Sequence, residues 1–282
     1  MRILVTGAGG MVGGALATAL KERSHDVVGT IRSTPAPAGL RSQVVRLDDR
    51  EMVEAVFDEV APDVVVHTAY SGSDLRRDVV VATEVVARAS ASRGVALVSL
   101  STDAVFDGEH PPYAETDDPM PVHDYGSAKR SAERSVLGVG GAVARCALIA
   151  NLDPDMPDPA SAWLIDAIRR GERVTLFTDE IRSVIRLGDL VAGLTRLVEL
   201  PIDRQGGCWH LGGPRPLSRA ELGAICAARF DLDTSLIGLG TSPSVPRRPR
   251  DVTLTCRRAE EELSFAPQPV GTVSPWPDLV TR

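Results

Sequence analysis

The chain has 282 residues, 43% of them hydrophobic and 24% charged, and its 38 acidic against 31 basic side chains give a net charge of −7. This length and composition are those of a globular protein with a sizeable core, and they exclude a collagen, a coiled coil or a long disordered chain. No apolar run approaches the ~20 residues that cross a bilayer. With no basic excess either, we predict no nucleic-acid and no membrane partner, and a cytoplasmic protein.

The first half of the sequence alternates short runs of β-branched residues with amphipathic stretches of helical length. The predicted strands are Arg2–Thr6, Asp26–Ile31, Asp63–His67, Val95–Ser101 and Ala142–Leu148. The predicted helices between them are Met11–Arg23, Arg50–Val60, Leu75–Arg93 and Tyr125–Leu137. Alternation of this kind is typical of βαβ units, and strands so rich in Val, Leu and Ile are buried on both faces. We therefore predict an α/β fold with a doubly wound parallel sheet, helices on both faces, in residues 1–150.

The second half begins with a loop, because residues 151–159 are dense in proline and aspartate. Beyond it the predicted elements are a helix at Ser161–Arg170, a strand at Arg173–Phe177, a helix at Asp189–Leu200, a strand at Cys208–Leu211, a helix at Ser218–Phe230, a Pro- and Arg-rich segment at Ser242–Arg250 and a helix at Cys256–Leu263. We predict that residues 151–282 form a smaller α/β region, mainly for substrate binding, with one or more segments returning to the first sheet.

The cysteines give no sign of a metal site. Cys146, Cys208, Cys226 and Cys256 lie far apart, no C-x-x-C motif occurs, and the five histidines form no H-x-x-x-H motif. This pattern favours reduced, buried thiols over a zinc site or a disulfide framework. We predict no bound metal, and we assign a structural role to His67, which ends a strand of valines.

A glycine-rich segment follows the first strand directly. Thr6-Gly7-Ala8-Gly9-Gly10-Met11-Val12-Gly13 places glycines at positions 7, 10 and 13 before a helix. Binding of a pyrophosphate needs a tight turn without Cβ atoms, a backbone that can touch the phosphates, and a helix N-terminus with free N–H groups. A plain turn can use the same residues, but the strand–loop–helix context favours a dinucleotide-binding Rossmann fold.

A second motif has the spacing of a proton-transfer site. Tyr125 and Lys129 lie four residues apart on a predicted helix and therefore share one face. We expect the ammonium to lower the pKa of the phenol from its ordinary value of about 10, so that Tyr125 can protonate a carbonyl. Thr102 follows the fourth strand, at the edge where ligand crevices form, and would hydrogen-bond the same oxygen. We predict these three residues to be catalytic.

The order of these motifs resembles that of extended short-chain dehydrogenases. A G-x-x-G-x-x-G loop, a strand-end Ser-Thr pair and a Tyr-x-x-x-Lys helix follow one another. The resemblance implies hydride transfer between a nicotinamide cofactor and a carbonyl. In such folds an acidic residue after the second strand favours NAD, whereas an arginine accommodates the extra phosphate of NADP. Residues 29–33 contain Arg32 and no carboxylate, so we predict that NADP(H) is preferred over NAD(H).

The resemblance also implies binding residues. The predicted cofactor contacts are Gly7, Gly10, Met11, Val12, Gly13, Arg32, Ser33, Leu47, Asp48, Thr68, Ala69, Tyr70, Tyr125 and Lys129. The predicted substrate contacts are Asp103, Phe106, Arg182 and Arg248. Of these, Arg182 and Arg248 are candidates for the diphosphate of the substrate, because a guanidinium binds phosphate oxygens in pairs.

Within the superfamily, the sequence looks most like dTDP-4-dehydrorhamnose reductases. The likeness is densest in residues 101–108, 112–117 and 121–129, and it continues in 177–182, 189–192, 207–212 and 248–254. Related dehydratases carry Asp-Glu after the catalytic Thr, whereas Ala104 follows Asp103 here, which disfavours dehydration. Val81 stands where the family usually has an asparagine, and Leu148 where it has an aromatic residue near the sugar nucleotide.

The implied function is NADPH-dependent reduction of a nucleotide-linked 4-keto-6-deoxyhexose, with Tyr125 as proton donor. Two alternatives stay open. One is a non-catalytic, NADP-binding regulatory subunit, because the sequence also resembles the regulatory subunit of methionine adenosyltransferase. The other is a sugar-nucleotide epimerase on the same scaffold. Members of the superfamily often pair through helices, so a homodimer is the assembly that the resemblance implies.

Overall fold

The computed structural model describes residues 1–243 and 248–271; residues 244–247, within the predicted Pro- and Arg-rich segment, and 272–282, at the end of the predicted substrate region, lie outside the described residues. The first half contains β1 Arg2–Thr6, α1 Met11–Glu22, β2 Asp26–Ile31, β3 Arg41–Val44, α2 Arg50–Val60, β4 Val64–His67, α3 Ala82–Arg93, β5 Ala96–Thr102, α4 Asp124–Leu137 and β6 Ala142–Cys146. The second half contains β7 Ile149–Ala150, α5 Pro159–Arg169, β8 Val174–Phe177, β9 Ile181–Arg182, β10 Ile185–Arg186, α6 Leu187–Glu199, α7 Ile202–Gln205, β11 Gly207–Leu211, β12 Leu217–Ser218, α8 Arg219–Phe230, β13 Ile237–Gly240 and α9 Arg257–Leu263.

In the described chain, seven parallel strands form the main sheet, in the order β11-β6-β5-β4-β1-β2-β3. The strand order reverses between β1 and β4, so the connections that follow these two strands leave in opposite directions and open a crevice at their carboxyl ends. This is a doubly wound Rossmann sheet, and it confirms the predicted fold class.

Side-chain alternation along the strands builds one apolar layer on each face of the sheet. Ile3 and Val5 of β1 join a cluster with Leu16 of α1 and Leu194 of α6. Leu4, between them in sequence, belongs to the opposite cluster with Phe57 of α2. All six side chains are almost wholly buried, and each contributes roughly 1.5–3 kcal/mol to folding. The two layers hold the sheet rigid beneath the loops that follow its strands.

A segment of the second half completes the sheet. β11 pairs with β6 in parallel, with Gly207 opposite Ala142, and Trp209 on this strand is fully buried. Its indole N–H donates to the Gln205 carbonyl oxygen over 2.6 Å. The division of the chain near residue 150 stays a prediction.

Several short elements of the second half were not predicted, among them β9, β10, α7, β12 and β13, and three elements of the first half differ from the sequence-based expectation. β3 was not predicted, because Arg-Ser-Gln-Val contains no apolar run; as the outermost strand it needs to pair only with β2. The predicted helix Leu75–Arg93 opens with a π-helical turn at Arg76–Val81 before α3. The predicted strand Ala142–Leu148 ends at Cys146, after which β7 pairs with β10 instead.

A smaller layer closes one end of the sheet. In it α5 and α8 pack on the pair of strands β8 and β13 around Leu164, Leu176 and Ile237. A reciprocal cap between Ser218 and Glu221 begins α8 and satisfies N–H groups of its first turn. Among the helices described, none has the length and apolar character needed to cross a membrane.

Candidate active site

A cleft of about 900 Å³ follows the carboxyl ends of the parallel strands. Residues that follow β1, β2, β4, β5 and β6 form one wall of the cleft. The starts of α5 and α8, β9 and residues 248–249 form the other wall. The predicted site residues lining it are Gly7, Gly10, Met11, Val12, Gly13, Arg32, Ser33, Leu47, Asp48, Thr68, Ala69, Tyr70, Thr102, Asp103, Tyr125, Lys129, Arg182 and Arg248. One predicted site residue, Phe106, lies elsewhere.

The glycine loop has the geometry of a phosphate cradle. Gly7 has φ +75°, and a Cβ there would lie 2.6 Å from the Ala69 Cα atom. At Gly13 a Cβ would lie 2.3 Å from the Gly7 carbonyl oxygen and 2.5 Å from the Thr68 hydroxyl. Gly9 was not among the glycines predicted to form the cradle. A Cβ at this position would lie 2.1 Å from the Thr34 carbonyl oxygen, so only glycine leaves room for that carbonyl. The free N–H groups at the start of α1 therefore border the cleft without obstruction.

The end of β2 carries an ion pair that the sequence did not reveal. Arg32 is half-exposed, and its Nη1 atom lies 3.4 Å from Oδ2 of Asp78, whose side chain is buried. Asp78 also accepts hydrogen bonds from Arg77 Nε and Ser73 Oγ, both over 2.8 Å, and these partners hold the pKa of its carboxyl well below the ordinary range. The Asp78 carboxylate, which lies on the π-helical turn, therefore places a negative charge next to Arg32.

The three predicted catalytic residues meet in the middle of the cleft. Thr102 ends β5, and α4 presents Tyr125 in its first turn and Lys129 one turn later. The His123 imidazole caps this helix by accepting the Gly126 N–H over 2.9 Å. Lys129 Nζ donates to the Leu100 carbonyl oxygen over 3.0 Å. The Tyr70 ring meets Tyr125 edge-to-face, with ring centroids 5.4 Å apart.

Burial controls the acidity of these groups. It raises the pKa of the Tyr125 phenol above its ordinary value, and the neighbouring Thr102 hydroxyl opposes this rise only in part. Burial also lowers the pKa of Lys129. The prediction of a lowered Tyr125 pKa is therefore wrong for this structure, because desolvation of the phenolate is the largest effect and the nearby Asp103 carboxylate raises the pKa further. The phenol stays protonated at neutral pH, which is the form that a proton donor requires.

A charged cluster, defined as Asp103, Glu180, Arg182, Arg219 and Arg248, lies on the same cleft. Asp103 and Glu180 are 4% and 2% exposed, and among the described residues neither Asp103 Oδ2 nor Glu180 Oε1 has a hydrogen-bond partner. Burial raises the pKa of Asp103, whereas the facing Arg182 and Arg219 oppose that shift. Glu180 and Arg219 were missed by sequence reasoning, because no local spacing signals a pair 39 residues apart.

Arg182 does not present a free guanidinium to a phosphate. Its Nη1 donates to the carbonyl oxygens of Ile181 and Arg250 over 2.8 and 3.0 Å, and its Nη2 donates to Pro249 over 3.0 Å. Its Nε faces Asp103 Oδ2 at 3.8 Å. The predicted role in diphosphate binding is thus corrected: this side chain ties residues 249–250 to β9.

Phe106 is likewise placed elsewhere. It is completely buried, its ring stacks on Tyr113 with centroids 4.2 Å apart, and the Arg145 guanidinium lies 5.1 Å from the ring centroid. The predicted contact with substrate is therefore not available to it, because the apolar ring follows the hydrophobic effect into the core. Within residues 1–243 and 248–271, no group of three or more His, Cys, Asp or Glu side chains is placed to hold a metal ion.

Together, the doubly wound sheet, the glycine loop and the Thr102, Tyr125 and Lys129 side chains on one cleft define a short-chain dehydrogenase/reductase of the extended type. The chain belongs to the family described as RmlD substrate binding domain, whose model matches residues 1–272.

Curated relatives include two kinds of protein. The methionine adenosyltransferase 2 subunit beta of Xenopus laevis is 29% identical over 279 residues, which cover 92% of this chain and 82% of the relative. The probable low-salt glycan biosynthesis reductase Agl14 of Haloferax volcanii is 28% identical over 280 residues, which cover 93% of this chain and 92% of the relative. Relatives of similar identity thus bear the names of a methionine adenosyltransferase subunit and of a probable reductase.

Solved structures of the same fold include sugar-nucleotide enzymes. A hypothetical dTDP-4-dehydrorhamnose reductase from Sulfolobus tokodaii superposes with a TM-score of 0.80 at 27% identity, covering 94% of this chain and 96% of that chain. MoeE5 in complex with UDP-glucuronic acid and NAD superposes with a TM-score of 0.81, covering 95% of this chain and 94% of that chain. Its identity is 24%, so this second likeness concerns the fold.

Proposed function

We propose that this protein is an NADP-dependent oxidoreductase that reduces the keto group of a nucleotide-linked 4-keto-6-deoxyhexose to an alcohol. The observation that carries the proposal is the presence of Thr102, Tyr125 and Lys129 on the cleft that also contains the phosphate cradle. Similarity to a hypothetical dTDP-4-dehydrorhamnose reductase at 27% identity and to a reductase at 28% identity supports the reductase over other activities of the scaffold.

The residues present fit a nicotinamide dinucleotide. A Cβ at Gly7, Gly9 or Gly13 would collide with backbone atoms of the cradle, so these positions keep the backbone close to where a pyrophosphate would lie. Arg32 is the residue that would hold the 2′-phosphate of NADP. Thr68, Ala69 and Tyr70 continue the same wall after β4. A reduced nicotinamide bound here would supply the hydride.

The side chains divide the remaining chemistry among them. Tyr125 holds a proton on its phenol oxygen at neutral pH and gives it to the carbonyl oxygen of the substrate. The Thr102 hydroxyl, which donates to Asp103 Oδ1 over 3.2 Å in the structure, turns its proton to the same substrate oxygen as negative charge develops there. Lys129 is partly buried, donates to the Leu100 carbonyl oxygen and lines the same cleft, and its ammonium stabilises the negative charge that develops on the substrate oxygen.

The sugar is inferred from the resemblance to dTDP-4-dehydrorhamnose reductases, and the cleft departs from that family at one residue of its lining. Leu148 lines it where the family has an aromatic residue, so stacking on the substrate ring is replaced by aliphatic contact. Arg248 lines the same cleft, and its guanidinium suits the anionic linker of a sugar nucleotide.

A non-catalytic, NADP-binding regulatory subunit is the second candidate. It is favoured by the 29% identity to methionine adenosyltransferase 2 subunit beta over 92% of this chain. Such a subunit would bind NADPH without consuming it, and it would form a stable complex with a partner enzyme. The presence of Thr102, Tyr125 and Lys129 together on one cleft favours the enzyme instead.

The deciding experiment follows the absorbance of NADPH in the presence of dTDP-4-dehydrorhamnose. We expect the unchanged protein to consume NADPH and Tyr125→Phe to bind it equally well without consuming it. Equal NADPH binding is the control that the variant is folded. If the unchanged protein binds NADPH but consumes none with this sugar or with a panel of nucleotide-linked keto sugars, the reductase proposal fails and the regulatory subunit gains.

A further inference from the structure

His123 lines the cleft with one of its two ring nitrogens already bound. Its Nδ1 atom accepts the Gly126 N–H over 2.9 Å. Its carbonyl oxygen accepts the Ser127 N–H over 3.0 Å and the Ser127 hydroxyl over 3.1 Å, so backbone and ring are both tied to the first turn of α4. In the part of the chain that the structure describes, the Nε2 atom of this ring has no hydrogen-bond partner.

The hydrogen bond to Gly126 decides which nitrogen carries the proton. A backbone N–H can only donate, so Nδ1 accepts with its lone pair and the proton of the imidazole lies on Nε2. The two nitrogens lie on different edges of the ring, so Nε2 points away from the Gly126 N–H. The N–H donor at Nε2 is therefore held in a fixed orientation and is available to a ligand.

The imidazole also lies beside the proposed proton donor. Its centroid is 6.1 Å from that of the Tyr125 ring, and the two ring planes differ by 29°. A Cβ at Gly126 would lie 3.2 Å from His123 Cε1, so the start of α4 packs closely on the imidazole and restricts its rotation. A substrate whose carbonyl oxygen meets Tyr125 therefore brings its adjacent groups next to His123.

We propose that His123 is a substrate-binding residue whose Nε2–H donates to the sugar hydroxyl next to the keto group. This inference rests on the proposed function, because it assigns a contact to the 4-keto-6-deoxyhexose named there. Of the two carbons that flank C4 in such a sugar, C5 carries the ring oxygen and a methyl group, whereas C3 carries a hydroxyl. The C3 hydroxyl is then the acceptor, and a sugar without it leaves the His123 donor unpaired, which costs affinity.

The test measures binding in a complex that cannot turn over. The full chain is saturated with NADP⁺, which has no hydride to give, and is titrated calorimetrically with dTDP-4-dehydrorhamnose and, separately, with dTDP. His123→Asn keeps a side-chain oxygen that can cap α4 but removes the Nε2 donor. We expect it to raise the dissociation constant of the keto sugar nucleotide by roughly 3- to 10-fold, the effect of losing one hydrogen bond, and to leave that of dTDP unchanged.

Two further variants separate the sugar contact from the helix cap. His123→Ala loses both, so its thermal midpoint should fall below that of His123→Asn, while the two variants lose a similar affinity for the keto sugar nucleotide. His110→Asn is the matched control, because that side chain is 79% exposed and lies outside the cleft lining; both dissociation constants should stay the same. A loss of affinity in His123→Ala alone would overturn the proposal, as would an equal loss for dTDP.

The 3-deoxy analogue of the keto sugar nucleotide identifies the acceptor. The unchanged protein should bind this analogue more weakly than the parent compound, and His123→Asn should bind the two alike. If His123→Asn still prefers the parent compound by the full factor, the C3 hydroxyl is bound by another residue and the proposal is rejected.

Failure of this contact can be told apart from failure of the proposed function. If NADPH is consumed with the keto sugar but His123→Asn leaves the dissociation constant and KM unchanged, the reductase stands and the His123 contact is rejected. If His123→Asn weakens binding of the keto sugar nucleotide while no keto sugar is reduced, the contact stands and the reductase is rejected.

Discussion

Glu133 and Arg145 form an ion pair whose side chains are only 4% and 3% exposed, with Arg145 Nη2 2.9 Å from Glu133 Oε2. Arg145 Nε also donates to Glu133 Oε1 over 3.1 Å, and the Ser101 hydroxyl donates to the same oxygen. Glu133 lies one turn after Lys129 on α4, whereas Ser101 and Arg145 precede the carboxyl ends of β5 and β6. The pair thus joins the helix that carries Tyr125 to β6, and the Ser101 hydroxyl joins the same carboxylate to β5, the strand that carries Thr102.

Glu133→Gln should strongly destabilise the protein. The change leaves the Arg145 guanidinium buried without a counter-charge, a loss that costs about 3–5 kcal/mol. The free energy of unfolding in urea is the measurement. Glu84→Gln is the control, because the Glu84–Arg88 pair is exposed on α3 and is worth under about 1 kcal/mol. Equal, small losses in the two variants would show that the buried pair contributes little.

Arg32→Ala should weaken NADPH far more than NADH. Loss of a cation beside the 2′-phosphate is expected to raise the dissociation constant of NADPH by about 10-fold or more, with little change for NADH. Fluorescence titration of both cofactors measures this. Arg50→Ala, at an exposed position paired with Glu54, controls for net charge. Tighter binding of NADH than of NADPH by the unchanged protein would contradict the assignment.

Arg182→Ala should act on stability rather than directly on substrate binding. It removes the donors of three backbone carbonyls and leaves the buried Asp103 carboxylate without its nearest cation. We expect a loss of at least about 3 kcal/mol in the free energy of unfolding, whereas Arg219→Ala should lose much less. A raised KM at unchanged stability would restore the original prediction that Arg182 binds the diphosphate.

Stability should fall as the pH is lowered, because two buried histidines resist protonation. Burial lowers the pKa of His67 to about 3 and that of His210 to about 4. The unfolded chain binds these protons near an ordinary pKa of about 6.5, so the stabilisation is complete above that pH and declines towards the folded values. Between roughly pH 6 and 4, each histidine contributes a slope of at most about 1.4 kcal/mol per pH unit, and the slope of His210 falls to about half of this as the pH reaches its folded pKa of about 4.

His67→Gln tests this pH dependence. His67 lies between the hydroxyls of Thr6 and Thr83, at 2.8 and 3.1 Å, and glutamine can retain hydrogen bonds of both kinds without titrating. Unfolding free energies measured over this pH range should show a shallower slope for the variant, whatever its absolute stability. An unchanged slope would mean that His67 takes up its proton without unfolding.

Much of the scaffold was predictable because its signals are local. Runs of valine and leucine marked five strands of the main sheet, since a strand buried on both faces needs apolar residues at every position. The spacing of Gly7, Gly10 and Gly13 after β1 marked the cradle, because close backbone approach excludes a Cβ at particular positions. The four-residue interval from Tyr125 to Lys129 placed both on one face of α4.

The partners of the charged side chains were decided by the tertiary structure alone. The sequence identified Arg182, Arg248 and Arg32 as cations, but only packing directed Arg182 to the carbonyls of residues 249 and 250 and brought Asp78 to Arg32. A guanidinium binds whichever acceptor the fold brings within hydrogen-bond reach, and those acceptors come from residues distant in sequence. The same reason explains why burial, rather than the nearby ammonium, controls the acidity of Tyr125: desolvation depends on every element packed around the group.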